Sequence, residues 1–176
     1  MAVMTLRHAV LGLLADRTAS GYDLMKVFDT SLANVWPATQ SQVYGELGKL
    51  AGSGLLEVSA EGPRGRKEYT ITQQGIDELR SWLIDTEPDR TRRSETLLRV
   101  FFLGVLTPVE SVTYLSVEAA RAADEHTELE RLEAQVDWGD DDLSVYGRLA
   151  LEYGLRLTAM QEEWASWARD QVAGLT

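Results

Sequence analysis

The chain of 176 residues has no cysteine and only two histidines, His8 and His126. Without cysteine there is no disulfide, no thiolate nucleophile and no cysteine-ligated zinc, and the chain suits a reducing compartment. His8 and His126 sit in different predicted helices with no carboxylate or second histidine at ligand spacing beside either, so no metal or catalytic role is expected of them. Long apolar runs are missing too, as is a charged-then-apolar leader, so the chain reads as cytosolic with no membrane partner. There are no paired carboxylates in an apolar setting, no Ser-His-Asp set and no glycine loop opening a helix, which argues against an enzyme and against a bound cofactor.

Positive charge is also scarce, with a net charge of −11 that sits badly with nucleic acid until it is divided. Residues 1–80 hold 8 Lys+Arg against 9 Asp+Glu, whereas residues 81–176 hold 9 against 19. The acidity belongs to the second half, which leaves a locally basic surface in the first half free to meet phosphates.

Such a surface is found between Trp36 and Thr72. Thr39, followed three residues later by Gln42, forms a capping box that opens a helix, and Val43, Leu47 and Leu50 give it one narrow apolar stripe. The opposite side carries Ser41, Gly45, Gly48 and Gly52, flanked by Gln42, Tyr44 and Lys49. Each glycine inside a helix costs roughly 1 kcal/mol against alanine, so a glycine face suggests that something approaches the backbone closely. A DNA groove would do so. Gly52 and Gly54 end the helix, and Leu56, Val58 and Ala60, then Tyr69 and Ile71, alternate as two half-buried strands. The tip between them, Glu61 to Lys67, holds Arg64, Arg66 and Lys67, cations suited to a phosphate backbone or a minor groove.

Ahead of this stretch, Leu6, Val10, Leu13 and Leu14 predict a first helix ending near Asp16, and Arg17-Thr18-Ala19 reads as a turn. Ser20, with Asp23 three residues on, caps a second helix through Tyr22, Leu24, Met25, Phe28 and Leu32 to about Ala33. Trp36 is expected to pack between the second and third helices. Three helices and a two-stranded wing form a winged helix-turn-helix. Thr72 caps a fourth helix whose buried stripe is Ile76, Leu79 and Leu83, with Ile71 and Ile76 as a hydrophobic staple. Glu87-Pro88-Asp89-Arg90 breaks the periodicity, so residues 1–86 are expected to form the DNA-binding domain and residues 87–176 a helical one.

SGYDL in the second helix, SQVYGEL with the following KL and SGLL, and the run GRKEYTITQQG resemble the PadR family of bacterial transcriptional regulators. The family pattern has an early Gly-Tyr pair, a Gln-x-Tyr-x-x-Leu recognition helix and an Arg/Lys-x-Tyr-x-x-Thr-x-x-Gly wing exit. The resemblance covers about residues 3–86, and the length is similar to the subgroup with a longer C-terminal helical part. It implies a repressor of transcription, with double-stranded DNA as partner. Ser41, Gln42 and Tyr44 are the expected major-groove contacts, Lys49 a phosphate contact, and Arg64, Arg66 and Lys67 the wing contacts. Tyr22 and Thr39, at the heads of the second and third helices, complete the expected DNA-binding set.

The second half reads as helical throughout, making the whole mainly α with a small β-wing. Leu97, Leu98, Phe101, Phe102, Val105 and Leu106 predict a short apolar helix, and Pro108 the first residue of a long one reaching about Val136. Its stripe is Val112, Leu115, Ala119, Ala122, His126, Leu129, Leu132 and Val136. The turn Asp137 to Asp142 holds four carboxylates that lack the alternating spacing of a calcium loop and read as helix capping. In the last helix Leu143, Tyr146, Ala150, Tyr153, Leu157, Met160, Trp164 and Trp167 keep an unbroken 3-4 heptad, with Gly147 and Gly154 beside it to admit a closely crossing helix. Two such helices form an antiparallel hairpin with more apolar surface than one winged domain covers, so a homodimer is expected, with Leu143, Tyr146, Tyr153, Leu157, Met160, Trp164 and Trp167 in its seam. A two-fold dimer presents recognition helices to half-sites about 34 Å apart. The resemblance adds a possible small aromatic or phenolic effector, for which Trp164 and Trp167 are stacking surfaces if they are not dimer core. The competing reading is a protein-docking module, in which Tyr44, Gly45 and Gly48 accept a partner helix instead of DNA.

Overall fold

The computed structural model describes residues 2–15, 17–30, 32, 35–61, 66–88 and 94–174. The chain divides into two compact units, Met1–Asp89 and Arg90–Thr176.

The first unit contains α1 (Ala2–Leu13), β1 (Ala19–Ser20), α2 (Gly21–Thr30), α3 (Gln40–Gly52), β2 (Leu56–Glu61), β3 (Lys67–Ile71) and α4 (Gln73–Asp85). Its core joins the stripes of the first three helices to the inward side of the sheet. Val10, Leu11, Leu14, Leu24, Phe28, Val43, Leu47 and Leu50 are buried there with Leu55, Leu56, Tyr69 and Ile71. Each such side chain contributes about 1.5–3 kcal/mol on leaving water. Trp36 packs against the edge of this core.

The sheet differs from the expected two-stranded wing. It has three antiparallel strands in the order β1-β3-β2. Ala19, expected in a turn, pairs with Tyr69, and Ser20 pairs with Glu68. Two residues are too few to show a period of two, so β1 is made by backbone pairing alone. The register of β2 on β3 shifts between Val58 and Ala60, which interrupts the alternation read for β2 and leaves Val58 40% exposed. A bulge of this kind bends the strand it occupies.

The helix ends follow their caps. Thr39 and Gln42 form the capping box of α3. At its other end Gly54 takes φ +76, Gly54 N–H bonds Ala51 O and Leu55 N–H bonds Leu50 O, a Schellman closure that needs a residue without Cβ. Gly52 is the last helical residue, so the helix ends at Gly52 and Gly54 as its glycines predict. The Thr72 hydroxyl accepts from Gly75 N–H at 3.1 Å and opens α4. Gly75 has no alternative: a Cβ there would lie 2.3 Å from Leu55 O. α1 stops at Leu13 and α2 at Thr30, both short of the predicted ends; Asp16 and Ala33 lie outside the described residues. Leu83, placed in the buried stripe of α4, is 65% exposed. The neighbouring Trp82 turns inward, stacked at 4.5 Å on the ring of buried His8, whose Nε2 lies 3.6 Å from Glu78 Oε1. That carboxylate comes from another helix, which sequence spacing does not show.

The second unit contains α5 (Glu95–Phe101), a 3-10 turn (Leu103–Val105), α6 (Pro108–Gln135) and α7 (Asp142–Ala173). The apolar helix expected to include Val105 and Leu106 stops at Phe101, and its large side chains are exposed. Thr107 and Glu110 form the capping box of α6, with Pro108 in its first turn, and Asp141 caps α7. α6 and α7 pack along their length as a hairpin. The α6 stripe is buried or half-buried as predicted. His126 within it meets Thr158 of α7 across 2.8 Å and lies 3.7 Å from Glu130, a carboxylate one helical turn on that the sequence reading passed over. From α7, however, the hairpin uses Leu151, Thr158, Ala165 and Ala168 rather than the aromatic heptad. Cβ atoms at Gly147 and Gly154 would come within 3.3 Å of the Trp138 side chain in the turn and 3.1 Å of the Leu129 side chain on α6, so both glycines lie in close contact with these side chains.

Among the described residues no helix is long and apolar enough to cross a membrane. Nor do they contain a cluster of three or more His, Asp or Glu able to hold a metal ion.

Candidate nucleic-acid interface

The outer face of α3 is set by which of its residues the core claims. Val43, Glu46, Leu47 and Leu50 point inward, which leaves Ser41, Gln42, Tyr44, Gly45, Gly48 and Lys49 exposed on the other side. A Cβ built at Gly45, Gly48 or Gly52 meets no atom within 4 Å. Packing among the described residues therefore does not require these glycines, and the face they form is a shallow, open track.

Hydrogen bonds within the protein already engage several of the expected contacts. Thr39 N–H donates to Gln42 Oε1 at 2.8 Å and the Thr39 hydroxyl to the same oxygen at 2.9 Å. Gln42 thus spends its carbonyl on the helix cap, and its amide N–H groups are what it can offer to a base edge. The bidentate reading of adenine by glutamine needs both ends. Ser41 Oγ lies 3.2 Å from the Thr39 hydroxyl. Lys49, expected on phosphate, donates to Glu46 Oε2 at 3.0 Å, and Glu46 is only 5% exposed. The ammonium is the counter-charge of a buried carboxylate, which the sequence reading missed because Glu46 lies between two apolar positions.

Beside the Tyr44 ring of α3, the first turn of α2 adds a second aromatic ring, Tyr22. Tyr22 is 58% exposed, with Lys26 Nζ 4.8 Å from its ring centroid, and Tyr44 is 44% exposed with its ring against Gly21. Lys26 was not among the expected contacts, though its i+4 spacing from Tyr22 on one helix face was the available signal. Arg66 and Lys67 enter β3 from the wing, both exposed. Arg64, expected at the tip, lies outside the described residues. Arg66 Nη2 is bound to Asp23 Oδ2 at 2.7 Å, and the same oxygen accepts from the Ser20 hydroxyl at 2.6 Å. The Ser20 hydroxyl, the Ser20 N–H and the Arg66 guanidinium together hold the Asp23 carboxyl below its ordinary pKa.

In the second unit, the α7 heptad lies largely on the surface. Tyr146, Tyr153, Met160 and Trp167 are each more than half exposed, Leu143 is 42% exposed, and Leu157 and Trp164 are half-buried.

Two family models match the chain in tandem: the transcriptional regulator PadR-like family over residues 10–81 and the virulence activator alpha C-terminal family over residues 92–173. The chain is 36% identical over 110 residues to the negative transcriptional regulator PadR of Bacillus subtilis; the match spans 60% of each chain. Its fold is similar to the crystal structure of Bacillus subtilis PadR in complex with operator DNA, with a TM-score of 0.82 at 26% identity over 96% of this chain and 99% of that one. It is also similar to the same regulator in complex with p-coumaric acid, with a TM-score of 0.81 at 29% identity over 96% and 98% of the two chains.

Proposed function

We propose that this chain, which belongs to the PadR-like family of transcriptional regulators, is a repressor that binds an inverted-repeat operator as a homodimer. The observation that carries the reading is the open face of α3, where Gly45 and Gly48 have nothing within 4 Å of a built Cβ. Two glycines in a helix interior lower its stability, and no contact among the described residues repays that loss. A backbone that must approach the floor of a major groove does. Ser41, Gln42 and Tyr44 then face the groove, with Thr39 and Tyr22 at its edge. Arg66 and Lys67 reach the flanking phosphates together with Arg64.

The second unit supplies the dimer. The α7 heptad is regular and apolar, and the hairpin leaves most of it exposed, so a second copy laid along it buries Tyr146, Tyr153, Leu157, Met160 and Trp167 and pairs two recognition helices. Likeness to a regulator known with p-coumaric acid supports a phenolic effector. Trp164 and Trp167 report its binding by fluorescence, whether they stack on it or lie in the seam.

The test is selection of sheared genomic DNA by the purified protein at physiological salt, followed by sequencing. A short inverted repeat is the expected product. Recovery of no preferred sequence, by a protein that stays dimeric, would favour the docking module instead. Steep weakening with added salt separates the two, because phosphate contacts release counterions and an apolar protein contact does not.

A further inference from the structure

Resting on the DNA-binding reading, we propose that Asp23 is a positioning residue for that activity: its carboxylate aims Arg66 outward and holds the root of the wing against the head of α2. One oxygen, Asp23 Oδ2, is where three parts of the fold meet. It accepts from Ser20 N–H at 3.2 Å and the Ser20 hydroxyl at 2.6 Å, which closes the cap of α2, and from Arg66 Nη2 at 2.7 Å, at the first residue after the wing tip. Ser20 is also a residue of β1, paired with Glu68 of β3, and the Thr18 and Thr70 hydroxyls are 2.7 Å apart beside it. The wing root is thus tied to the head of α2 by both backbone pairing and charge.

The geometry favours orientation over competition. A guanidinium has five N–H donors in a planar fork, and the bond to Asp23 uses the Nη2 end. Half of the Arg66 side chain remains exposed, at 51%. Arg66 can therefore rest on Asp23 and bind a phosphate with its remaining donors, without exchanging one partner for the other. A long arginine fixed at one end loses less freedom when it meets DNA than one swinging on a mobile root.

Asp23→Asn tests this, since the amide oxygen preserves the cap of α2 and removes only the charge that Arg66 uses. The experiment measures binding of a random-sequence 30-base-pair duplex at low salt by wild type, Asp23→Asn, Arg66→Ala and the double variant. Amide hydrogen exchange at Arg66, Lys67 and Glu68 is followed in the free proteins. Asp23→Asn should weaken binding roughly two- to fivefold, the scale of an exposed ion pair with good geometry, and speed exchange at the wing root. In the Arg66→Ala background it should cost nothing further. An equal loss in both backgrounds would overturn the proposal, because Asp23 would then act only through the helix cap. Tighter binding by Asp23→Asn would overturn it too, since Asp23 would be competing with DNA for Arg66. Duplex binding by wild type with no effect of Asp23→Asn would overturn the positioning role and leave the DNA reading standing. Failure of wild type to bind the duplex would overturn both.

Discussion

The ring of Tyr44 occupies the space that a side chain at Gly21 would need: a Cβ built at Gly21 falls 2.8 Å from Tyr44 Cε1 and Cζ, with Leu47 Cδ1 at 3.2 Å. The first residue of α2 therefore decides where an exposed ring of the recognition helix lies. Gly21→Ala is expected to displace that ring and destabilise the protein by about 1–3 kcal/mol, the usual range for overpacking. In a Tyr44→Ala background the same substitution should cost much less. Urea unfolding of the four proteins checks this, and equal costs in both backgrounds would contradict it.

Lys49 should act on stability as well as on binding. Glu46 lies on the buried face of α3, and Lys49 of the same helix is the counter-charge bonded to it. Lys49→Met keeps the stem and removes the ammonium, which leaves a buried carboxylate short of a partner at about 1–3 kcal/mol. Adding Glu46→Gln should restore most of that loss. Chemical denaturation of the single and double variants separates this role from a phosphate contact, which would change DNA affinity with stability unaltered.

How much of this was legible in the sequence depends on the kind of signal each feature leaves. Capping boxes at Thr39–Gln42, Ser20–Asp23 and Thr107–Glu110 are local, three residues apart, and helix starts can be read from the side chains alone. The core stripes of α1, α3 and α6 were legible for the same reason. β1 was not, since two residues cannot display alternation and its partner lies some fifty positions away. Leu83 and Trp82 exchanged roles because α4 is polar overall and its facing is settled by the stack of Trp82 on His8. At the site, the exposed face of α3 was readable from its glycines. The contacts of Lys49 with Glu46 and of Arg66 with Asp23 were not, because one is a buried charge in an apolar stripe and the other spans 43 positions.

The dimer seam has its own test. Tyr153 is 61% exposed and lies off the face that packs on α6, so Tyr153→Glu should leave the hairpin folded while placing a charge in the seam. Sedimentation should shift from dimer to monomer at micromolar concentration with helical circular dichroism unchanged, and DNA affinity should fall with the loss of paired half-sites. An unshifted dimer would move the seam elsewhere.

Acid should loosen the helix caps in a defined window. Asp23, Glu110 and Asp141 have lowered pKa values, first through hydrogen bonds from the hydroxyls of Ser20, Thr107 and Ser144 respectively. For a carboxyl group whose folded pKa is depressed, the unfolded chain binds protons first. Its stabilisation is therefore complete above the ordinary carboxylate pKa of about 4 and is lost as pH falls through the folded values below it. The melting temperature should hold from pH 7 to about 5 and fall below about 4. Asp141→Asn should shallow that fall.

The most direct measurement of the central claim is the effect of Gly48→Leu on folding and on DNA binding, taken side by side. The structure leaves the new side chain open space, with no atom within 4 Å of its Cβ, and removing a helix glycine adds roughly 1 kcal/mol of helix propensity. The variant is expected to be at least as stable as wild type and still dimeric, and to lose specific DNA binding by tenfold or more, on the order of 1.4 kcal/mol. Gly48→Leu protein that folds and binds its operator as wild type does would contradict it, because the α3 face would then not be the surface that enters the groove.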